Sequence, residues 1–88
     1  MNELLDLRIS IDLLDNAIIS LLAERMRVVK KVGQYKRKQN IPALDKNRWQ
    51  QVLSSKLRLA EKLGLDKKLV EKIYHQIHQY ALSIEDKV

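Results

Sequence analysis

The sequence predicts an all-α protein with three helices per chain, one of them very long, assembled as a homodimer. Three observations predict it. Helix-forming residues dominate the composition, with two Gly, one Pro and no Phe among 88 residues. The stretch from Glu3 to Lys38 contains no Pro and a single Gly, Gly33. Two further apolar-periodic segments follow, each opened by an Asp and separated by residues that stop helices.

The first helix is expected over residues 3–38. A heptad counted from Leu4 places Leu4, Arg8, Ile11, Asp15, Ile18, Leu22, Arg25, Val29, Val32 and Lys36 on one seam, and Leu7, Leu14, Leu21 and Val28 widen the apolar stripe. At 1.5 Å per residue such a helix is roughly 54 Å long. A compact chain of this size has a radius of gyration near 12 Å, by the usual scaling of about 2.2 Å × N^0.38. The helix is too long to be covered by its own chain. Either it bends back, for which Gly33 lies too near its end, or a second copy covers the protruding half.

Pro42, in the joint Gln39-Asn40-Ile41-Pro42-Ala43, pushes its predecessor out of helical space and ends the first helix. Asp45 reads as the N-cap of a second helix over about 46–63, and Leu44 and Trp49 have the spacing of a hydrophobic staple. Its expected buried face is Trp49, Val52, Leu53, Leu57, Ala60 and Leu63, with Gly64 in the C′ position. Asp66 caps a third helix over about 67–84, which should bury Val70, Ile73, Ile77, Ala81 and Ile84 before the last residues fray. Residues 1–88 thus read as one helical domain without internal repeats.

Composition narrows the function. No Cys is present, which removes disulfides and thiolate metal sites. The start, Met1-Asn2-Glu3-Leu4-Leu5-Asp6, lacks the basic and apolar regions of a signal peptide, and nothing approaches the roughly 20 apolar residues of a membrane span. The expectation is a soluble, cytoplasmic protein. Seventeen Lys and Arg against eleven Asp and Glu give a formal charge of +6, which favours anionic partners. Seven of those cations lie between Arg25 and Lys38, a stretch without an acid.

Arg8, Asp15, Arg25 and Lys36 interrupt a seam that should be apolar. A buried charge without a partner costs several kcal/mol, on the order of 3–5 when one member of a pair is missing. The stems could reach solvent, or Asp15 could pair with an Arg of the second chain. Three cations against one acid instead invite an external anion. Arg25 and Lys36 are about 16 Å apart along the axis and can bracket a small ligand, whereas Arg8 lies about 25 Å from Arg25. In an antiparallel dimer Arg8 of one chain can reach the Arg25 region of the other, giving two equivalent composite sites.

The blocks Leu5-Asp6-Leu7-Arg8, Leu13-Leu14-Asp15, Leu21-Leu22-Ala23-Glu24-Arg25, Val32-Gly33-Gln34-Tyr35-Lys36 and Pro42-Ala43-Leu44-Asp45-Lys46-Asn47-Arg48 resemble the all-helical class of chorismate mutases over nearly the whole chain. That resemblance implies an intertwined homodimer and the rearrangement of chorismate to prephenate in Phe and Tyr biosynthesis, with no metal or organic cofactor. It implies that Arg25 binds one substrate carboxylate and Arg8, acting in trans, the other. Lys36 would bind a carboxylate and the ether oxygen of the breaking C–O bond, and Arg48 would support the carboxylate side. Asp45 would lie near the ring hydroxyl through its backbone N–H.

Three positions depart from the family's pattern. Trp49 stands where many members carry a Glu that accepts from the ring hydroxyl; a staple with Leu44 would explain a Trp there. Ala81 replaces a small hydroxylated residue and retains only a backbone contact. Glu85 aligns with a side-chain amide that donates to the ether oxygen; an ionised Glu only accepts, so it would have to act as its neutral acid. His75 and His78 have i, i+3 spacing but no evident third ligand, so they read as a solvated face. Tyr74 and Tyr80 read as partly buried packing residues. Rival readings are an isochorismate pyruvate-lyase or amino-chorismate mutase on the same scaffold, and a basic helical dimer that binds a regulatory ligand or nucleic acid without turnover. Against nucleic acid, the best-placed cations lie on the seam rather than on an exposed face.

Overall fold

The computed structural model describes residues 2–88; Met1, the first residue of the N-terminal reading above, lies outside the described residues. The chain forms three α-helices: α1, Glu3–Lys38; α2, Lys46–Lys62; and α3, Lys67–Lys87. Each start is capped locally. The side chains of Asn2, Asp45 and Asp66 accept from the backbone N–H of Leu5 (3.1 Å), Arg48 (3.0 Å) and Lys68 (2.8 Å). Glu3 and Asp6 occupy the first turn of α1 and Lys36, Arg37 and Lys38 its last, each sign suiting the helix dipole.

Two left-handed residues end the first two helices. Asn40 (φ 56°) follows α1, and the Ile41 N–H returns to the Lys36 carbonyl at 2.8 Å. Gly64 (φ 73°) follows α2, and the Leu65 N–H returns to the Ala60 carbonyl at 2.8 Å. Both are Schellman closures that satisfy carbonyls at the helix end. Pro42 therefore lies two residues past the αL residue that turns the chain.

α3 packs on both α1 and α2, whereas α1 and α2 make no direct packing contact with each other. They run antiparallel and face each other across open space, with α3 as the floor. The long helix is unbroken, and the chain extends 59 Å along its principal axis with a radius of gyration of 16.4 Å. Every residue from Asn2 to Leu21 is exposed. Leu13, Leu14, Ile19 and Leu21 are each about two-thirds exposed, at 64–65%.

The core within one chain is correspondingly small. Ala60, Val70 and Ala81 are buried as expected, but Leu63 (67%), Ile73 (46%) and Tyr80 (60%) are exposed, against the sequence reading. Leu63 and Ile73 line an apolar cleft with Ile18, Leu21 and Leu22. Their apolar partners are thus missing from this chain's own fold. Among the described residues no helix is long and apolar enough to cross a membrane.

The third helix also runs past the expected end near residue 84, through Lys87. The reason is Gly33, the buried residue of α1. A Cβ at this position would stand 2.7 Å from Val88 Cγ2 and 2.9 Å from Glu85 Cα, so the glycine lets the end of α3 lie against α1. Docked there, the last turn is held by tertiary contact and does not fray.

Gly33→Ala should separate these two effects. Helix propensity favours Ala by about 1 kcal/mol, while overpacking against the α3 backbone costs roughly 1–3 kcal/mol. The expected outcome is a net loss of stability, read as a lower Tm with the end of α3 exchanging its amides faster.

Candidate functional site

The antiparallel course of α1 and α2 leaves a cleft of about 410 Å³ beside the start of α2, within the usual range of small-molecule sites, about 300–1,000 Å³. Arg25 and Lys36 enter it from α1, Asp45, Arg48 and Trp49 from the start of α2, and Ala81 and Glu85 from α3. Seven of the eight residues expected in the site therefore share one cavity. Arg8 does not: it is exposed on the protruding half of α1. The apolar cleft described above has the same volume, about 410 Å³, but among its lining residues only Arg25 and Lys56 are charged.

Lys36 is the most constrained of these side chains. Its Nζ donates to the Ala43 carbonyl at 2.7 Å and lies 2.8 Å from Glu85 Oε1, the two side chains being 19% and 10% exposed. The Glu85 contact is an ion pair, and Oε1 has no hydrogen-bond partner beside it. An ammonium has three donors, so at least one of Lys36 stays available to a ligand.

Arg25 is three helical turns before Lys36. Its Nη1 is buried and without a hydrogen-bond partner among the described residues. An orphaned guanidinium nitrogen is costly, of order 1–3 kcal/mol or more for a charged group, unless something else accepts from it. Among the described residues Arg25 Nη1 and Glu85 Oε1 are the buried side-chain atoms without a hydrogen bond, Oε1 being matched by the charge of Lys36, and both residues line this cleft. Asp45 differs. Its Oδ1 accepts from the Arg48 N–H, so the carboxylate serves first as a helix cap.

The histidines correct the sequence reading. His78 is not on a solvated face: it lines the cleft and stacks on Trp49, with ring centroids 4.1 Å apart and planes 9° from parallel. His75, half-exposed, meets the same indole edge-on at 5.2 Å and 68°. Trp49 thus packs against α3, while its supposed staple partner Leu44 is 47% exposed. Burial lowers the His78 pKa from its usual 6.5; the neighbouring His75 and Arg25 add to this and Glu85 opposes it. The imidazole is therefore neutral at pH 7. Its position was readable, since 78, 81 and 85 follow the i, i+3, i+7 spacing of one helix face. The reading of the i, i+3 pair as one solvated face fits half-exposed His75 but not His78.

Chemically, the cleft offers fixed cations, a buried carboxylate, a neutral imidazole and apolar walls from Val28, Val29, Val32 and Val52. Such a site can hold a compact anion in one conformation and stabilise charge that develops on one of its oxygens.

Comparison with known proteins agrees with this chemistry. The family model described as chorismate mutase type II matches residues 7–86. The chain is 33% identical to the bifunctional chorismate mutase/prephenate dehydratase of Aquifex aeolicus (strain VF5), over 100% of this chain and 25% of that protein. It is 34% identical to the protein of the same name from Buchnera aphidicola, over 99% of this chain and 22% of that protein. It is 32% identical to the T-protein of Enterobacter agglomerans, over 96% of this chain and 22% of that protein. The chain thus spans about a quarter of the length of these relatives. Helical architecture, converging cations and a match to four-fifths or more of the sequence lead to one statement: the chain belongs to the chorismate mutase type II family.

Proposed function

We propose that this chain catalyses the rearrangement of chorismate to prephenate in aromatic amino-acid biosynthesis, as a homodimer with Arg8 acting in trans. The observation that carries the proposal is the unpartnered Arg25 Nη1, buried in the same cleft as Lys36. A dianionic substrate supplies the acceptor that this nitrogen lacks.

The reaction is intramolecular: one C–O bond breaks as one C–C bond forms, and no proton leaves the substrate. It needs a folded substrate and stabilisation of the ether oxygen as negative charge builds there. Arg25 grips one carboxylate through its guanidinium fork. Lys36, aimed by Ala43 and Glu85, gives its remaining donor to a carboxylate and the ether oxygen. Arg48, on the first turn of α2, supports the carboxylate side, and the Asp45 backbone lies by the ring hydroxyl. Ala81 leaves room beside the ring, where its backbone is the remaining contact.

Support for a dimer comes from the uncovered half of α1. Leu4, Leu7, Ile11, Leu14 and Ile18 are each more than half exposed, an apolar stripe of a size that isolated soluble chains rarely show. Two antiparallel copies of α1 whose two-fold axis passes near residues 16 and 17 place Arg8 opposite Arg25 of the other chain. Both composite sites then contain four cations, Arg8 in trans with Arg25, Lys36 and Arg48, for two carboxylates.

Glu85 is the member whose protonation matters. As a neutral acid it donates to the ether oxygen; as a carboxylate it repels the developing charge and only orients Lys36. Glu85→Gln, a permanent donor, should therefore flatten the dependence of turnover on pH and raise the rate at about pH 8 relative to wild type. Equal wild-type turnover at pH 5 and 8, with no gain in the variant, removes this role.

Conversion of chorismate to prephenate, followed by loss of chorismate absorbance, tests the main proposal. Arg25→Ala should lower kcat/KM roughly 10²-fold or more, and Arg8→Ala by a similar factor. Mixing the two inactive variants should restore about a quarter of wild-type activity, since half the dimers then carry one intact site. No recovery on mixing, from variants that are dimeric in sedimentation, would show that Arg8 does not act in trans.

A further inference from the structure

The cleft's polar groups divide unevenly among the needs of a substrate that carries carboxylates, an ether oxygen and a ring hydroxyl. Arg25, Lys36 and Arg48 are cations suited to the carboxylates and the ether. Asp45 accepts from the Arg48 N–H, and Glu85 faces Lys36. The Trp49 indole N–H donates but cannot accept. The one neutral side chain on the cleft wall with an acceptor is His78. Neither of its ring nitrogens has a protein hydrogen-bond partner among the described residues.

We propose that His78 is a specificity-determining residue, held flat against Trp49 and accepting the hydrogen bond of the substrate's ring hydroxyl. The inference rests on the reading of this cleft as a chorismate site. Stacking at 4.1 Å and 9° fixes the plane of the imidazole and removes the rotation that would otherwise blur its hydrogen-bonding direction. Trp49 and His78 then act as one unit: the indole supplies the surface and the imidazole the polar atom.

Ionisation decides whether the acceptor exists. The groups that face His78 are Arg25 from α1 and His75 and Glu85 from α3, while the aromatic wall from α2, Trp49, is uncharged. Burial, His75 and Arg25 together outweigh Glu85 and hold the imidazole neutral above its usual 6.5 and some way below it. An imidazolium donates from both nitrogens and accepts from neither. Recognition of the hydroxyl should therefore persist through neutral pH and fail on the acid side of 6.5.

The experiment compares chorismate with an analogue in which hydrogen replaces the ring hydroxyl. Trp49 is the single Trp of the chain, so its emission reports ligand binding in the cleft directly. Wild-type protein should prefer chorismate about tenfold in affinity, the size of one net hydrogen bond. His78→Phe, which keeps a ring against the indole, should cut that preference to about twofold or less; His78→Gln should keep most of it. Should His78→Phe not fold, the wild type and His78→Gln suffice. The wild-type preference should collapse once pH falls well below 6.5, and that of His78→Gln should not. An unchanged preference in His78→Phe, or a wild-type preference indifferent to pH, overturns the proposal. A wild type that binds chorismate without converting it sinks the catalytic reading and leaves this one measurable. A wild type that does neither sinks both.

Discussion

The close approach of α3 to α1 at Gly33 is the contact on which the rest of the chain depends. α1 and α2 do not pack on each other, so α3 is what holds them at a fixed separation. The absent side chain at position 33 lets the last turn of α3 lie against α1, with Glu85 Cα 2.9 Å from where a Cβ would stand. That places Glu85 at Lys36, and Lys36 in turn reaches the Ala43 carbonyl in the joint before α2. One glycine, one ion pair and one hydrogen bond tie the three segments around the cleft.

Much of the local structure was legible in the residues. The length of α1, both Asp caps and the glycine after α2 follow from rules that act over four or five positions, and those rules hold here. The cations on the seam were legible because a charge on an apolar stripe is out of place whatever surrounds it. One local feature escaped, and the rest of what escaped was set by contacts between helices. The αL residue at Asn40 was masked by Pro42, a stronger-looking stop signal two positions later. The end of α3 looked frayed because its stabilising partner, Gly33, lies more than fifty residues earlier.

His78 and Trp49 show the same limit within the site. A Leu44–Trp49 staple and a solvated histidine pair are each reasonable local readings of their own segments. Only the packing of α2 on α3 brings the two rings together, and it makes an expected core residue and a surface-looking histidine into one wall of a cavity. The misplacement of Leu63 and Ile73 has a different cause. Their periodicity marks them correctly as apolar-face residues, but the face they belong to is not closed by this chain's own helices.

Arg25 lines both cavities, the charged cleft and the apolar one. It borders both the surface that another chain would cover and the space that an anion would fill. Any occupant of one cavity therefore alters the surroundings of the other, and by linkage the effect is reciprocal. If a second copy covers the one and an anion fills the other, affinity and self-association become two readings of a single equilibrium, with dilution acting as an inhibitor and ligand as a glue.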